Sequence, residues 1–125
     1  MSTIQKYTIE HEPELLALLA NEPDWHSFTR DDAIERFKKA LRTSETYICV
    51  SQDAICGYLS ALVDGFGIYV SELYIAPAHR GHGHGAKLLR QIKQAHLDQD
   101  VYVLSDEDSY YQKLGCQRVG SVFKL

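Results

Sequence analysis

The sequence predicts an α+β domain in which helices pack on a mixed, mostly antiparallel sheet, and three observations predict it. Apolar residues recur at helical spacing in the first third of the chain, and from Thr46 onward the pattern changes to β-branched and aromatic runs joined by short turns. Helix-like and strand-like segments then alternate toward the C-terminus. The expected order is α-α-β-β-β-α-β-α-β, in one domain spanning residues 1–125.

Pro13, followed by Glu14, Leu15, Leu16, Ala17, Leu18 and Leu19, suits the first turn of a helix, where a missing N–H costs nothing. Asn21-Glu22-Pro23-Asp24 ends that helix. Thr29 is the expected cap of a second, with Asp31 and Asp32 favourable in its first turn and Ile34, Phe37 and Leu41 on its buried stripe. Residues 46–50 and 55–63 read as strands, and Ser51-Gln52-Asp53-Ala54 between them reads as a hairpin loop. Asp64-Gly65 turns the chain into a third strand over residues 67–75, so the three form an antiparallel meander.

Pro77 stops the third strand. A glycine-rich loop then opens a helix whose apolar side carries Leu88, Leu89, Ile92 and Ala95. The strand that follows, residues 101–104, is separated from the third strand by a helix, so the two are expected to be parallel neighbours. A short helix over residues 109–114 should end at Gly115, and a last strand is expected over residues 116–123.

Composition narrows the function. Of the 125 residues, 45% are hydrophobic and 24% charged, which suffices for one packed core. The net charge of −4 disfavours a nucleic-acid binder or a polybasic membrane-surface protein. The apolar run at residues 55–63 is broken by Gly57 and Ser60 and is too short to span a bilayer. The N-terminal residues lack the apolar core of a secretory signal, so the expected location is cytoplasmic. Cys49, Cys56 and Cys116 form no CxxC pair and read as small core or sheet residues of a reducing compartment.

Arg80-Gly81-His82-Gly83-His84-Gly85 is the strongest signal in the chain. Alternate glycines let a backbone approach a ligand closely, and a helix start aims free N–H groups and the positive end of the dipole outward, a combination that binds phosphate. Arg80 and Lys87 are candidate supplementary cations. A P-loop would need Lys-Ser/Thr after the last glycine, and Ala86-Lys87-Leu88 stands there instead. A dinucleotide turn is matched in letters by Gly81-His82-Gly83-His84-Gly85-Ala86, with Asp106 downstream. Against it, residues 76–80 intervene after the strand, and the upstream meander is antiparallel rather than doubly wound. His79, His82 and His84 suggest a metal site, but a metal would compete with phosphate for the loop and no neighbouring cysteine completes a donor set, so none is expected.

Ile75-x-Pro77-x-x-Arg80-Gly81-x-Gly83-x-Gly85 resembles the acyl-CoA signature of the GNAT superfamily of N-acetyltransferases. Its core, Arg-x-x-Gly-x-Gly/Ala, is matched by Arg80, Gly83 and Gly85. Tyr110-Tyr111-Gln112-Lys113-Leu114-Gly115-Cys116 resembles the family's Tyr-x-Lys-x-Gly-Phe segment, with Cys116 in place of the aromatic. The likeness runs from about Tyr47 to the C-terminus. Residues 105–109 depart from it, since the family often has an asparagine there.

The resemblance implies an enzyme that moves an acetyl group from acetyl-CoA to a primary amine by direct attack in a ternary complex. It implies that the backbone at Leu73, Tyr74 and Ile75 holds the pantetheine arm and the thioester carbonyl. The pyrophosphate would lie on amides of Gly81, His82, Gly83, His84, Gly85 and Ala86, with Arg80 and Lys87 beside them. Tyr111 is the implied acid for the leaving thiolate and a further cofactor contact, and Glu72, on the strand facing the acetyl group, is the candidate base.

Trp25 and Phe28 are candidate walls of the acceptor site, with plain core packing as the competing reading. Asp24, Asp31, Asp32 and the run Asp106-Glu107-Asp108 favour a cationic small-molecule or peptide amine, against simple surface solvation. A non-catalytic acyl-CoA-binding or interaction module is the alternative function, and strand edges allow a homodimer.

Overall fold

The computed structural model describes residues 2–125. Among the described residues the centre of the fold is a five-stranded sheet in the order β1-β2-β3-β4-β5. The strands are β1 (Ser2–Lys6), β2 (Glu45–Ser51), β3 (Ala54–Val63), β4 (Ile68–Ile75) and β5 (Val101–Val103). The first four are antiparallel neighbours, and β5 runs parallel to β4. The helices are α1 (Glu12–Ala20), α2 (His26–Thr29), α3 (Ile34–Thr43), α4 (His84–Ala95) and α5 (Asp108–Lys113). The expected α+β architecture, with its mixed and mostly antiparallel sheet, is the one observed.

The sheet alternation sorts residues into two cores. Ile48, Tyr58 and Tyr74 face the N-terminal helices and pack on Leu15, Leu19 and Phe37. Cys49, Leu59 and Val70 face the other way and pack on Leu88 and Ile92 of α4. Leu15, Leu19, Leu59 and Leu88 are fully buried, and truncating such a leucine to alanine costs about 2–5 kcal/mol. The α1 side is also tied electrostatically. Buried Glu12 accepts from the Tyr7 hydroxyl at 2.6 Å and from Arg42 Nε at 3.0 Å. Burial alone would raise the Glu12 pKa, yet the bonds from Arg42 and Tyr7 prevail and hold it below the usual carboxylate range.

Several expected elements behave differently. β1 carries one apolar residue, Ile4, among polar ones, because an edge strand has little to bury; the expected order lacks it. Residues 116–123 form no strand. Val119, Val122 and Phe123 are exposed, since apolar spacing makes a strand only where a long enough edge is there to pair with, and β5 has three residues. Cys116 is correspondingly exposed rather than a sheet residue.

Thr29 closes α2 instead of capping the next helix. Its hydroxyl donates back to the Trp25 carbonyl at 3.3 Å, and α3 begins after a turn with Ala33 at its cap. Ala95 is exposed, so the buried stripe of α4 rests on Leu88 and Ile92 with half-buried Leu89. The hairpin at Gln52-Asp53 forms as expected, both residues taking positive φ (54° and 61°). Gly115 also takes a left-handed conformation just beyond α5 (φ 88°).

Candidate functional site

The site is set by a break in the sheet. β4 and β5 pair only from Ile68↔Val101 to Val70↔Val103, and the last bond of this ladder runs from Leu104 N–H to the Val70 carbonyl at 2.9 Å. On the β3 side a register shift between Ser60 and Ala61 makes Ser71 the extra residue of a bulge. Bulges bend the strand that carries them. From Ser71 to Ile75 the strand therefore leaves β5, and Leu73, Tyr74 and Ile75 border the opening.

Beyond Ile75 the chain passes through a 3-10 turn, Pro77–His79, into the glycine-rich loop. Gly81 and Gly83 take left-handed conformations (φ 83° and 80°), and nothing lies within 4 Å of where their Cβ atoms would stand. Gly83 caps α4, whose first internal bond joins Lys87 N–H to the Gly83 carbonyl at 3.1 Å. The amides of the preceding turn, His84 to Ala86, have no intrahelical acceptor. Open backbone at two glycines, free amides and a helix dipole fit a pyrophosphate.

The supplementary cations are engaged elsewhere. The Arg80 side chain donates from Nε to the Ile75 carbonyl at 2.8 Å, so it braces the end of β4. Lys87 Nζ donates to the Ser2 carbonyl at 2.7 Å and to Ser2 Oγ at 3.0 Å, which directs its charge toward β1 rather than the opening. The His84 ring is buried with Nδ1 3.0 Å from Ser2 Oγ. Burial, then the neighbouring His82, His79 and Lys87, push its pKa down. The ring of exposed His82 stands 6.0 Å from that of His84.

Glu72 lies on the face toward the N-terminal helices, two residues before Tyr74. The Tyr58 hydroxyl points to its Oε1 at 3.4 Å, and burial raises its pKa. A carboxylate whose proton affinity is raised toward neutrality is suited to accept a proton. Tyr111 of α5 is half-buried. Burial, followed by the charge of Asp106, pushes its pKa up to about 12, so it is a phenol with a proton to give at neutral pH. Tyr110 stands at 5.1 Å from it, ring to ring, and its hydroxyl rests on Gly85 in the first turn of α4.

Trp25 packs edge-on against Tyr58 (5.7 Å) and Tyr74 (5.5 Å), beside the Glu72 partner. Phe28 packs on Trp25 (5.2 Å) and Phe37 (5.3 Å), further into the core. The Tyr74 hydroxyl donates to Glu22 Oε1 at 2.9 Å. Sequence reasoning missed Tyr58 and Glu22. Tyr58 lies at a position that tyrosine fills in any core, and only a folded sheet brings Glu22 to Tyr74, 52 residues away. Of the acidic run, Asp108 accepts from Ser105 Oγ at 2.8 Å, and Asp106, Glu107 and Asp108 are exposed.

A family model described as the acetyltransferase (GNAT) domain matches residues 42–117. The chain belongs to the GNAT acetyltransferase family. Its members use acetyl-CoA as donor, and the matched stretch contains the opened strand, the loop and α5. No curated protein matches the sequence.

Solved structures share the fold at low identity. A GNAT family acetyltransferase from Streptococcus pneumoniae is 21% identical with a TM-score of 0.76, over 100% of this chain and 98% of the other. A ribosomal-protein-alanine N-acetyltransferase from Brucella melitensis is 16% identical, TM-score 0.76, over 100% and 98%. An aminoglycoside N-acetyltransferase in complex with CoA is also 16% identical with a TM-score of 0.76, over 100% and 93%. No helix among the described residues is long and apolar enough to cross a membrane.

Proposed function

We propose that the protein transfers the acetyl group of acetyl-CoA directly to a primary amine in a ternary complex, and that the amine belongs to a cationic acceptor. The observation that carries this reading is the gap between β4 and β5 beside the free amides of α4. An extended pantetheine arm can take the position of the missing strand partner along Leu73, Tyr74 and Ile75. An N–H held there toward the thioester carbonyl stabilises the oxyanion of the tetrahedral intermediate. The pyrophosphate rests on the amides from Gly81 to Ala86.

Glu72 takes one proton from the substrate ammonium, directly or through water, and the neutral amine attacks the thioester carbonyl. Tyr111 protonates the thiolate as the C–S bond breaks, and the remaining excess proton on nitrogen passes to solvent. The products are the amide and the free thiol, and both residues regain their starting states by exchange with solvent. The cationic acceptor is supported by two carboxylates, Glu72 at the Tyr58 hydroxyl and Glu22 at the Tyr74 hydroxyl, whose negative charge suits an ammonium-bearing molecule.

Calorimetric titration of acetyl-CoA into wild type and Gly83→Glu tests the cradle, since an acidic side chain at a left-handed glycine repels phosphate and strains the turn. Binding that survives the substitution would sink the assignment. Amine-dependent thiol release should fall about 10²–10⁴-fold in Tyr111→Phe. Binding without turnover across mono-, di- and polyamines would instead favour an acyl-CoA-binding module. For the acceptor, Glu22→Gln should raise the KM of diamines more than that of amines without a second charge, and equal KM values would remove that part of the reading.

A further inference from the structure

Two cysteines and a histidine that the sequence keeps apart meet on the face of the sheet under α4. Between β2 and β3 the pairing passes from Cys49↔Gly57 to Val50↔Ile55, which leaves Cys56 as an extra residue in a bulge. The bulge breaks strict alternation, so Cys56 joins Cys49 and Leu59 in the α4 core while Ile55 and Tyr58 face the other way. His84, the first residue of α4, closes over them. The Sγ atoms of Cys49 and Cys56 and a ring nitrogen of His84 all lie within 4.8 Å of one another. The absence of a nearby cysteine, which counted against a metal in the linear sequence, therefore does not hold in three dimensions.

Three further features bear on what the cluster would hold. The His84 ring is oriented by Ser2 Oγ at Nδ1, the kind of outer partner that fixes a ligating imidazole. A cleft of about 460 Å³, lined in part by Ser51, Gln52, His79, His82 and Lys87, opens onto His84 and supplies an entry path. The exposed His82 ring stands 6.0 Å from that of His84 at this mouth.

We propose that Cys49, Cys56 and His84, completed by His82, form a site for a thiophilic divalent cation, with zinc as the first choice. Two sulfur and two imidazole donors are the tetrahedral set that zinc takes. Each thiol releases one proton on binding, so two thiolates neutralise the dication and Lys87 at the rim faces no net positive charge. Because His84 stands between Gly83 and Gly85, an occupied site would pin the start of α4 to the β2–β3 bulge.

Cobalt(II) added to the full chain in a Cys116→Ser background, which removes the exposed thiol, tests the site. The expected result is one equivalent bound, with a thiolate-to-cobalt charge-transfer band and tetrahedral d–d bands, both abolished by one equivalent of zinc. Titration of wild type with zinc in weak buffer should release about two protons per metal. Cys49→Ala and Cys56→Ala should each lose the greater part of the charge-transfer band, and His82→Ala should weaken binding at least about tenfold. Absence of the band in folded protein would overturn the proposal. So would a band unchanged in the two alanine variants, or binding through histidines without proton release. The Cys116→Ser spectrum and the wild-type proton count decide the matter even if an alanine variant fails to fold.

Discussion

Replacing Gly85 by alanine probes the contact that seats α5 on the first turn of α4. A Cβ at this position overlaps the Tyr110 hydroxyl, with Tyr110 Cζ next at 3.3 Å and Ile75 Cγ1 at 3.9 Å. The hydroxyl ends a rigid ring, so either the tyrosine leaves its rotamer or α5 shifts. Overpacking of this kind costs about 1–3 kcal/mol. The helix preference of alanine over glycine returns at most about 1 kcal/mol, and less in a first turn. The net expectation is a destabilisation of about 0.5–2 kcal/mol. Tyr110→Phe deletes only the overlapping atom and leaves a tight but tolerable 3.3 Å contact. The double variant should therefore lie within about 0.5 kcal/mol of Tyr110→Phe alone, a coupling of about 1 kcal/mol or more. Urea denaturation of the four proteins measures the cycle, and acetyl-CoA calorimetry should show weaker binding by Gly85→Ala that the double variant recovers. Equal stability of Gly85→Ala and wild type, or strict additivity in the cycle, would refute the contact.

Four other outcomes are expected. Burial raises the Glu72 pKa, so the acid limb of kcat/KM should fall at a pH above the ordinary glutamate range and disappear in Glu72→Gln. Tyr111, with its pKa pushed up to about 12, should contribute no basic limb below that pH. Folding lowers the Glu12 pKa, so on acidification the unfolded chain takes up the proton first. The stabilisation is complete above the unfolded carboxylate pKa and lost as pH falls through the folded one; a Glu12→Gln variant should show a flatter urea midpoint against pH in that window. Gln52 holds a positive φ of 54° in the β2–β3 hairpin, and Gln52→Gly should raise stability by about 0.5–1 kcal/mol in thermal or urea unfolding.

Elements with a dense local code were legible without the structure. The second and third strands, the hairpin at Gln52-Asp53, the helix after the glycine-rich loop and the stop at Gly115 each follow from side-chain type and spacing over a few residues. The GNAT loop and the Tyr111 segment were legible for the same reason, because backbone freedom at Gly81 and Gly83 and a helical tyrosine are local requirements. An edge strand such as β1 has almost no apolar code, and residues 116–123 have the code without a partner edge. In both cases pairing decides, and pairing is not local.

By itself the sequence determined the fold class and the family, since these rest on periodicity, glycine placement and short motifs. Only the tertiary structure decided where the β4–β5 ladder stops and that Arg80 and Lys87 are spent on Ile75 and Ser2. It alone brought Tyr110 onto Gly85, and Cys49 and Cys56 under His84. The physical reason is that bulges at Ser71 and Cys56 re-aim strands by one residue. A one-residue shift in a period-two element reverses which face each side chain meets.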